Sequence, residues 1–158
     1  MGSGVQYWIA VALGTASGAI VCIAAGTFPG RTARYLGRGI AVVLAADAVT
    51  FVLRPVVEGG WTARGSLPLD LCDVALVIAA FACWFPQWRL GVELTYFWGL
   101  AGTLQAVLTP DLSVSFPRLE FFEFVVGHLG IVIAATYLVV ALRLVPGACP
   151  ARRGVAEP

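Results

Sequence analysis

Lysine is absent from this sequence and histidine occurs once, at His128. All ten basic residues are Arg, and charged residues make up 12% of the chain, against about 25% in an ordinary soluble domain. With a net charge of +1 and no basic patch, the chain offers little to a nucleic-acid backbone, so no nucleic-acid partner is expected. Four cysteines, Cys22, Cys72, Cys83 and Cys149, are scattered without metal-ligand spacing, which argues against both a metal centre and a disulfide framework. No nucleotide-binding loop occurs. Gly99 and Gly102 in WGLAG fall inside an apolar run and read as helix-packing glycines. No basic residue precedes the first apolar run, which is long enough to span a membrane, so a cleavable signal peptide is not expected. What the chain does have is apolar length: it is 59% hydrophobic, with mean hydropathy +0.89. Several runs approach or exceed the roughly 18 residues needed to cross a bilayer. The expected fold class is all-α, a polytopic membrane helix bundle with no second, soluble domain.

Five spans are expected, at about 6–26, 39–57, 69–85, 91–108 and 119–145, in a single transmembrane domain over 1–145. Tyr7 and Trp8 read as interface aromatics, and Gly14, Ser17 and Gly18 as a small-residue packing face. Pro110 disfavours helix at Thr109 and marks the end of the fourth span. The tail 146–158 is expected to be disordered. Seven arginines (Arg31, Arg34, Arg38, Arg89, Arg143, Arg152, Arg153) fall on one side of such a bundle and three (Arg54, Arg64, Arg118) on the other. The positive-inside rule then predicts a multi-pass protein of the cell membrane with its N terminus outside and its C terminus in the cytoplasm.

Polar residues in an apolar chain must be paired or used. The stretch SLPLDLCDVALVIAA (66–80) puts Asp70, Cys72 and Asp73 at the mouth of the third span. Asp47, Thr50 and Arg54 share a face of the second span. Gln105 and Thr109 close the fourth, with Asp111 just beyond, and His128 lies about two and a half turns into the fifth. This orientation gathers them into one outer-half layer, which suggests a polar cavity there. Cys72 is a candidate nucleophile with His128 as its base, although spacing alone favours packing roles for both. Asp47 reads equally as a proton or cation site and as a structural acid. Arg54 would reach it part way, and a partner on another helix is an equal alternative. Gln105, Thr109 and Asp111 read as a polar headgroup site or as hydrogen bonding at a helix end. Glu120 and Glu123 suit the positive end of the fifth helix. No cofactor and no metal site are expected.

The segments LPLDLCDVALVIAA (67–80), ELTYFWGLAGTLQAVLTPDL (93–112) and FPRLEFFEFVVGHLGIVIAATYLV (116–139) carry a family likeness. They resemble the YwaF-like bacterial integral membrane proteins, related to the eukaryotic transmembrane protein 164 group, over roughly 38–144. The eukaryotic relatives are acyltransferases that place acyl chains on ether-linked lysophospholipids. The resemblance therefore implies Cys72 as acyl carrier, His128 as its partner, and membrane lipids with an acyl-lipid substrate as the molecules met. Two departures stand out. Asp70 occupies a position where the family pattern LPLHLC has His. Relatives also continue for two further spans, so the expectation is a shortened member or a truncated frame, its site open, inactive or completed by a second copy in a homo-oligomer. The functional expectation is a phospholipid acyltransferase working through a Cys thioester with a His base, with Asp70, Gln105, Thr109, Asp111 and Asp47 around the substrate. The alternative is a non-enzymatic membrane protein, either a small ion-coupled transporter or a structural subunit. Small size and the lack of an internal repeat count against an autonomous transporter.

Overall fold

A computed structural model describes residues 2–60, 62, 70–110 and 116–141. Five helices account for nearly all of them: α1 (Gly2–Thr27), α2 (Arg31–Val57), α3 (Leu71–Trp84), α4 (89–108) and α5 (119–141). The segments Gly4–Thr27, Arg31–Val57 and Leu119–Val140 are long and apolar enough to cross a membrane. The α3 helix, at 14 residues, extends about 21 Å, short of the roughly 30 Å hydrocarbon core. The α4 helix switches from α (Arg89–Phe97) to a π turn (Trp98–Thr103) and back (Leu104–Leu108), and α5 ends in a second π turn, Tyr137–Ala141. The all-α membrane bundle expected from composition is what forms. Asp111 and the tail from 142 onward lie outside the described residues.

One boundary differs from expectation. The second helix begins at Arg31 rather than near Gly39, and only Phe28–Gly30 separate α1 from α2. Hydropathy marks where apolar residues start, whereas Arg is a good helix former, so Arg31, Arg34 and Arg38 ride on the first turns of α2. Gly30 makes the tight reversal at φ 90°, a conformation that glycine adopts freely and L side chains rarely do.

Lipid tails give no hydrophobic drive for helices to associate, so close packing through small residues carries the bundle. The α5 helix is its axis. A Cβ at Gly14 or Gly18 of α1 would strike Leu129 or Ile133 of α5. Gly130 of α5 receives Leu44 of α2, and Gly37 of α2 receives the Tyr137 ring. The Tyr137 hydroxyl donates to the Ala33 carbonyl at 2.7 Å, closing the opposite end of the α2–α5 contact. Gly99, in the π turn of α4, lies against Ala135 Cβ at 3.2 Å measured from its own Cβ position. The expected packing role thus holds for Gly14, Gly18 and Gly99. It fails for Gly102, whose Cβ position faces open space, and for exposed Ser17, whose hydroxyl turns back onto the Leu13 carbonyl. The third helix supplies a small-residue face of its own in buried Ala75, Ala79 and Ala82.

Gly18→Val is expected to lower stability by about 1–3 kcal/mol, the range for overpacking a tight contact. Gly26→Ala, where a Cβ meets nothing within 4 Å, is expected to be neutral or slightly stabilising. Thermal unfolding of the purified protein in one detergent compares the two; equal losses would contradict this packing.

Candidate functional site

The strongest polar structure in the bundle is an ion pair between α2 and α5. Arg54 Nε donates to both carboxylate oxygens of Glu123, at 3.2 and 3.1 Å, and Nη2 lies 3.1 Å from Glu123 Oε2. A planar guanidinium forking onto a carboxylate is the strong form of this contact. Nη1 adds Glu120 of α5 at 3.4 Å and Glu58 of its own helix at 3.6 Å. Side-chain exposure is 19% for Arg54 and 8% for Glu123, so the carboxylate is buried and the guanidinium largely shielded from water. Of the two alternatives left open for Asp47, a bond from Arg54 is not the one formed, and Glu120 and Glu123, at the dipole end of α5, also carry this ion pair. The cross-helix partner of Arg54 is acidic and sits on α5. Glu120 and Glu123, three apart on one helix face, were the available signal.

Asp47 lies deeper on α2. Its Oδ2 is 2.8 Å from where a Cβ at Gly127 would stand, so the carboxyl occupies a notch that only glycine leaves open. Leu76 of α3 closes on the same point at 3.9 Å. Asp47 makes no hydrogen bond or ion pair with another described residue, and the charge nearest to it in effect is Glu123, of like sign. Thr50 satisfies itself on the Ala46 carbonyl at 2.8 Å and does not serve Asp47.

Asp70 stands at the start of α3 in extended backbone (φ −67°, ψ 147°) without a side-chain cap bond, its carbonyl accepting from the Asp73 and Val74 N–H groups at 3.0 and 3.1 Å. Cys72 is half-buried and begins a helical stripe continued by Leu76, Ala79 and Cys83, all buried. Its charged neighbours are Asp73 and Asp70, both acidic. His128, also half-buried, has Nδ1 2.9 Å from the Phe124 carbonyl. A carbonyl only accepts, so Nδ1 is the donor, and in the neutral imidazole Nε2 then keeps a lone pair. The Phe124 ring stacks on the imidazole with centroids 4.2 Å apart and planes 25° apart. No hydrogen bond joins Cys72 to His128.

Gln105 and Thr109, both exposed, bond each other at the end of α4: Gln105 Nε2 donates to Thr109 Oγ1 at 3.4 Å, and Thr109 Oγ1 donates to the Gln105 carbonyl at 2.9 Å. Beside them Tyr7 corrects another expectation. It is 4% exposed rather than an interface aromatic, its hydroxyl donates to the Val107 carbonyl at 2.7 Å, and its ring meets Phe124 at 6.3 Å. Trp8 next to it is exposed.

These contacts join the start of α1, the ends of α2 and α4 and the starts of α3 and α5, so the polar residues do share one end of the bundle. Three clefts, of about 400 Å³ between α1, α2 and α5, about 270 Å³ between α1, α4 and α5, and about 250 Å³ between α2 and α3, are apolar. Neither Cys72, His128 nor Asp47 borders any of them. No group of three His, Cys, Asp or Glu residues able to hold a metal occurs among the described residues.

Removing one partner of a buried ion pair strands the other. Arg54→Ala is therefore expected to cost about 3–5 kcal/mol, and Glu120→Ala, at a 35% exposed side chain, roughly 1 kcal/mol or less. Chemical denaturation in mild detergent measures the order; a larger loss for Glu120→Ala would overturn the assignment of Glu123 as the main partner.

Comparison with curated proteins and with solved structures found no match. The family model described as "TMEM164 family" matches residues 2–149, beginning well before the 38–144 segment in which the motif likeness is legible. This chain, an integral membrane protein built of apolar helices, belongs to the TMEM164 family.

Proposed function

We propose that this protein transfers acyl groups between membrane lipids, with Cys72 as the acyl carrier and His128 as the base. Within the family we group it with the YwaF-like bacterial members, on the motif at 93–112. The observation that carries the reading is the contact at His128 Nδ1. Its Nδ1–H is engaged by the Phe124 carbonyl at 2.9 Å, so Nε2 is the nitrogen free to take a proton. Cys72 supports it by heading the inward stripe of α3 on the second residue of that helix, where its own N–H precedes the first bonded ones, those of Asp73 and Val74, and suits an oxyanion.

In the proposed reaction, Cys72 Sγ bonds to the carbonyl carbon of an acyl ester while its proton passes to His128 Nε2. Collapse of the tetrahedral intermediate breaks the ester C–O bond, and the imidazolium returns the proton to the departing alkoxide. A lysophospholipid hydroxyl then attacks the thioester by the reverse route and frees the thiol. Thiol and imidazole are not hydrogen-bonded at rest, so a bridging water or closure around substrate completes the transfer, as with many sites that tighten only on binding. Gln105 has a second amide N–H beyond the one given to Thr109 and can serve the oxyanion or the headgroup. Asp70, Thr109, Asp111 and Asp47 complete the polar end where a headgroup would rest. By the arginine bias, that end faces outside.

A second reading has its own observation. Asp47 is a carboxyl in a membrane helix without a hydrogen-bonding partner among the described residues, which suits a proton- or cation-coupled carrier. The readings separate by mutation. Acyl transfer predicts a hydroxylamine-sensitive acyl load on Cys72 by mass spectrometry, abolished in Cys72→Ala and formed about 100- to 10,000-fold more slowly in His128→Ala. An unchanged load in Cys72→Ala would end that proposal. The carrier reading predicts that Asp47→Asn alone abolishes function.

A further inference from the structure

We infer that Tyr7 and Phe124 are positioning residues that hold His128 in its Nδ1–H tautomer with Nε2 presented. This deepens the acyl-transfer reading and rests on it for its functional meaning. The contacts form one chain. The Tyr7 hydroxyl is anchored on the Val107 carbonyl of α4 at 2.7 Å, and the Tyr7 ring lies against Phe124 of α5 at 6.3 Å with planes tilted 57°. Phe124 then acts on His128 twice, through its ring at 4.2 Å and through its carbonyl, the acceptor for Nδ1–H.

Each link has a physical role. A histidine ring in a helix turns about χ1 and χ2, and an imidazole in water favours the opposite, Nε2–H form. One backbone hydrogen bond contributes only about 0.5–1.5 kcal/mol net, a weak lock by itself. An aromatic stack adds roughly 0.5–1.5 kcal/mol and stops the ring from swinging away from the carbonyl. Phe124 is itself only half-buried, so its own rotamer needs a support, and Tyr7 is that support. Tyr7 is 4% exposed although it lies near the start of α1, between two partners on different helices. The first helix thereby reaches the base without touching it.

The single histidine makes the test direct, since imidazole-¹⁵N-labelled protein gives one set of ring signals. In detergent at neutral pH the wild type is expected to show protonated Nδ1 and unprotonated Nε2. Phe124→Leu and Tyr7→Leu are expected to lose this single pattern and move towards the mixed or Nε2–H form, whereas Phe124→Tyr keeps it. Acylation of Cys72 should fall roughly 10- to 100-fold in the two Leu variants, as for a misplaced catalytic group. Should Tyr7→Leu fail to fold, Tyr7→Phe, which deletes only the hydroxyl on Val107, is expected to show the same loss in weaker form. A wild-type imidazole pattern in folded Phe124→Leu and Tyr7→Phe proteins overturns the inference, as does an Nε2–H wild type. Loss of the pattern in the variants with no acyl load on wild-type Cys72 upholds the positioning and refutes the acyl-transfer reading alone.

Discussion

The bidentate pairing of Arg54 with Glu123 sets the register of this bundle. Two charges taken out of water are costly to separate and demanding in geometry, so helix α2 cannot slide on α5 without breaking three short contacts. With that register held, Asp47 falls opposite the one residue of α5 that leaves it room, Gly127, and Leu44 falls opposite Gly130. At the far end the Tyr137 hydroxyl meets Ala33. The contact is thus pinned by polar bonds at both ends and filled by close-packed small residues between them.

Function, in the proposed reading, depends on what this register leaves on the other faces of α5. His128, one residue after Gly127, stands about 100° round α5 from the Asp47 notch and belongs to an aromatic column with Phe124 and Tyr7. Cys72 lies one turn before Leu76, which closes on Gly127, and Glu123 lies one turn before Gly127. The thiol therefore sits at about the depth of the Arg54–Glu123 pair. The thiol, the imidazole and the Asp47 carboxyl come from α3, α5 and α2 in turn. The acids beside Cys72 give it no cation to favour the thiolate, so the proposed chemistry depends on the imidazole as proton acceptor. The Nδ1 of His128 is engaged by the Phe124 carbonyl of its own helix.

Much of the architecture was legible in the chain because a bilayer admits few solutions. Long apolar runs had to be helices, and Pro110 had to end one of them. The shared polar end was legible too, since antiparallel helices bring Asp70, Thr109 and Arg54 to one side. Side-chain partnership was not. Whether Arg54 serves Asp47 or Glu123 depends on the rotation of α5 about its axis, which spacing along α2 does not contain. Tyr7 had the composition of an interface residue, and only the nearness of Val107, a hundred positions away, makes it internal. The π turn at 98–103 likewise redirects Gly102 outward while Gly99 stays in contact with α5, a twist that an α-helical count through WGLAG misses.

The account is tested most directly by a double-mutant cycle on Arg54 and Glu123, each replaced by Met, with unfolding free energy measured in one detergent. If the pair sets the register, each single change strands a buried charge, and the double variant recovers much of the loss, with a coupling of about 0.5–3 kcal/mol. Strictly additive losses, with no recovery in Arg54→Met/Glu123→Met, would contradict it.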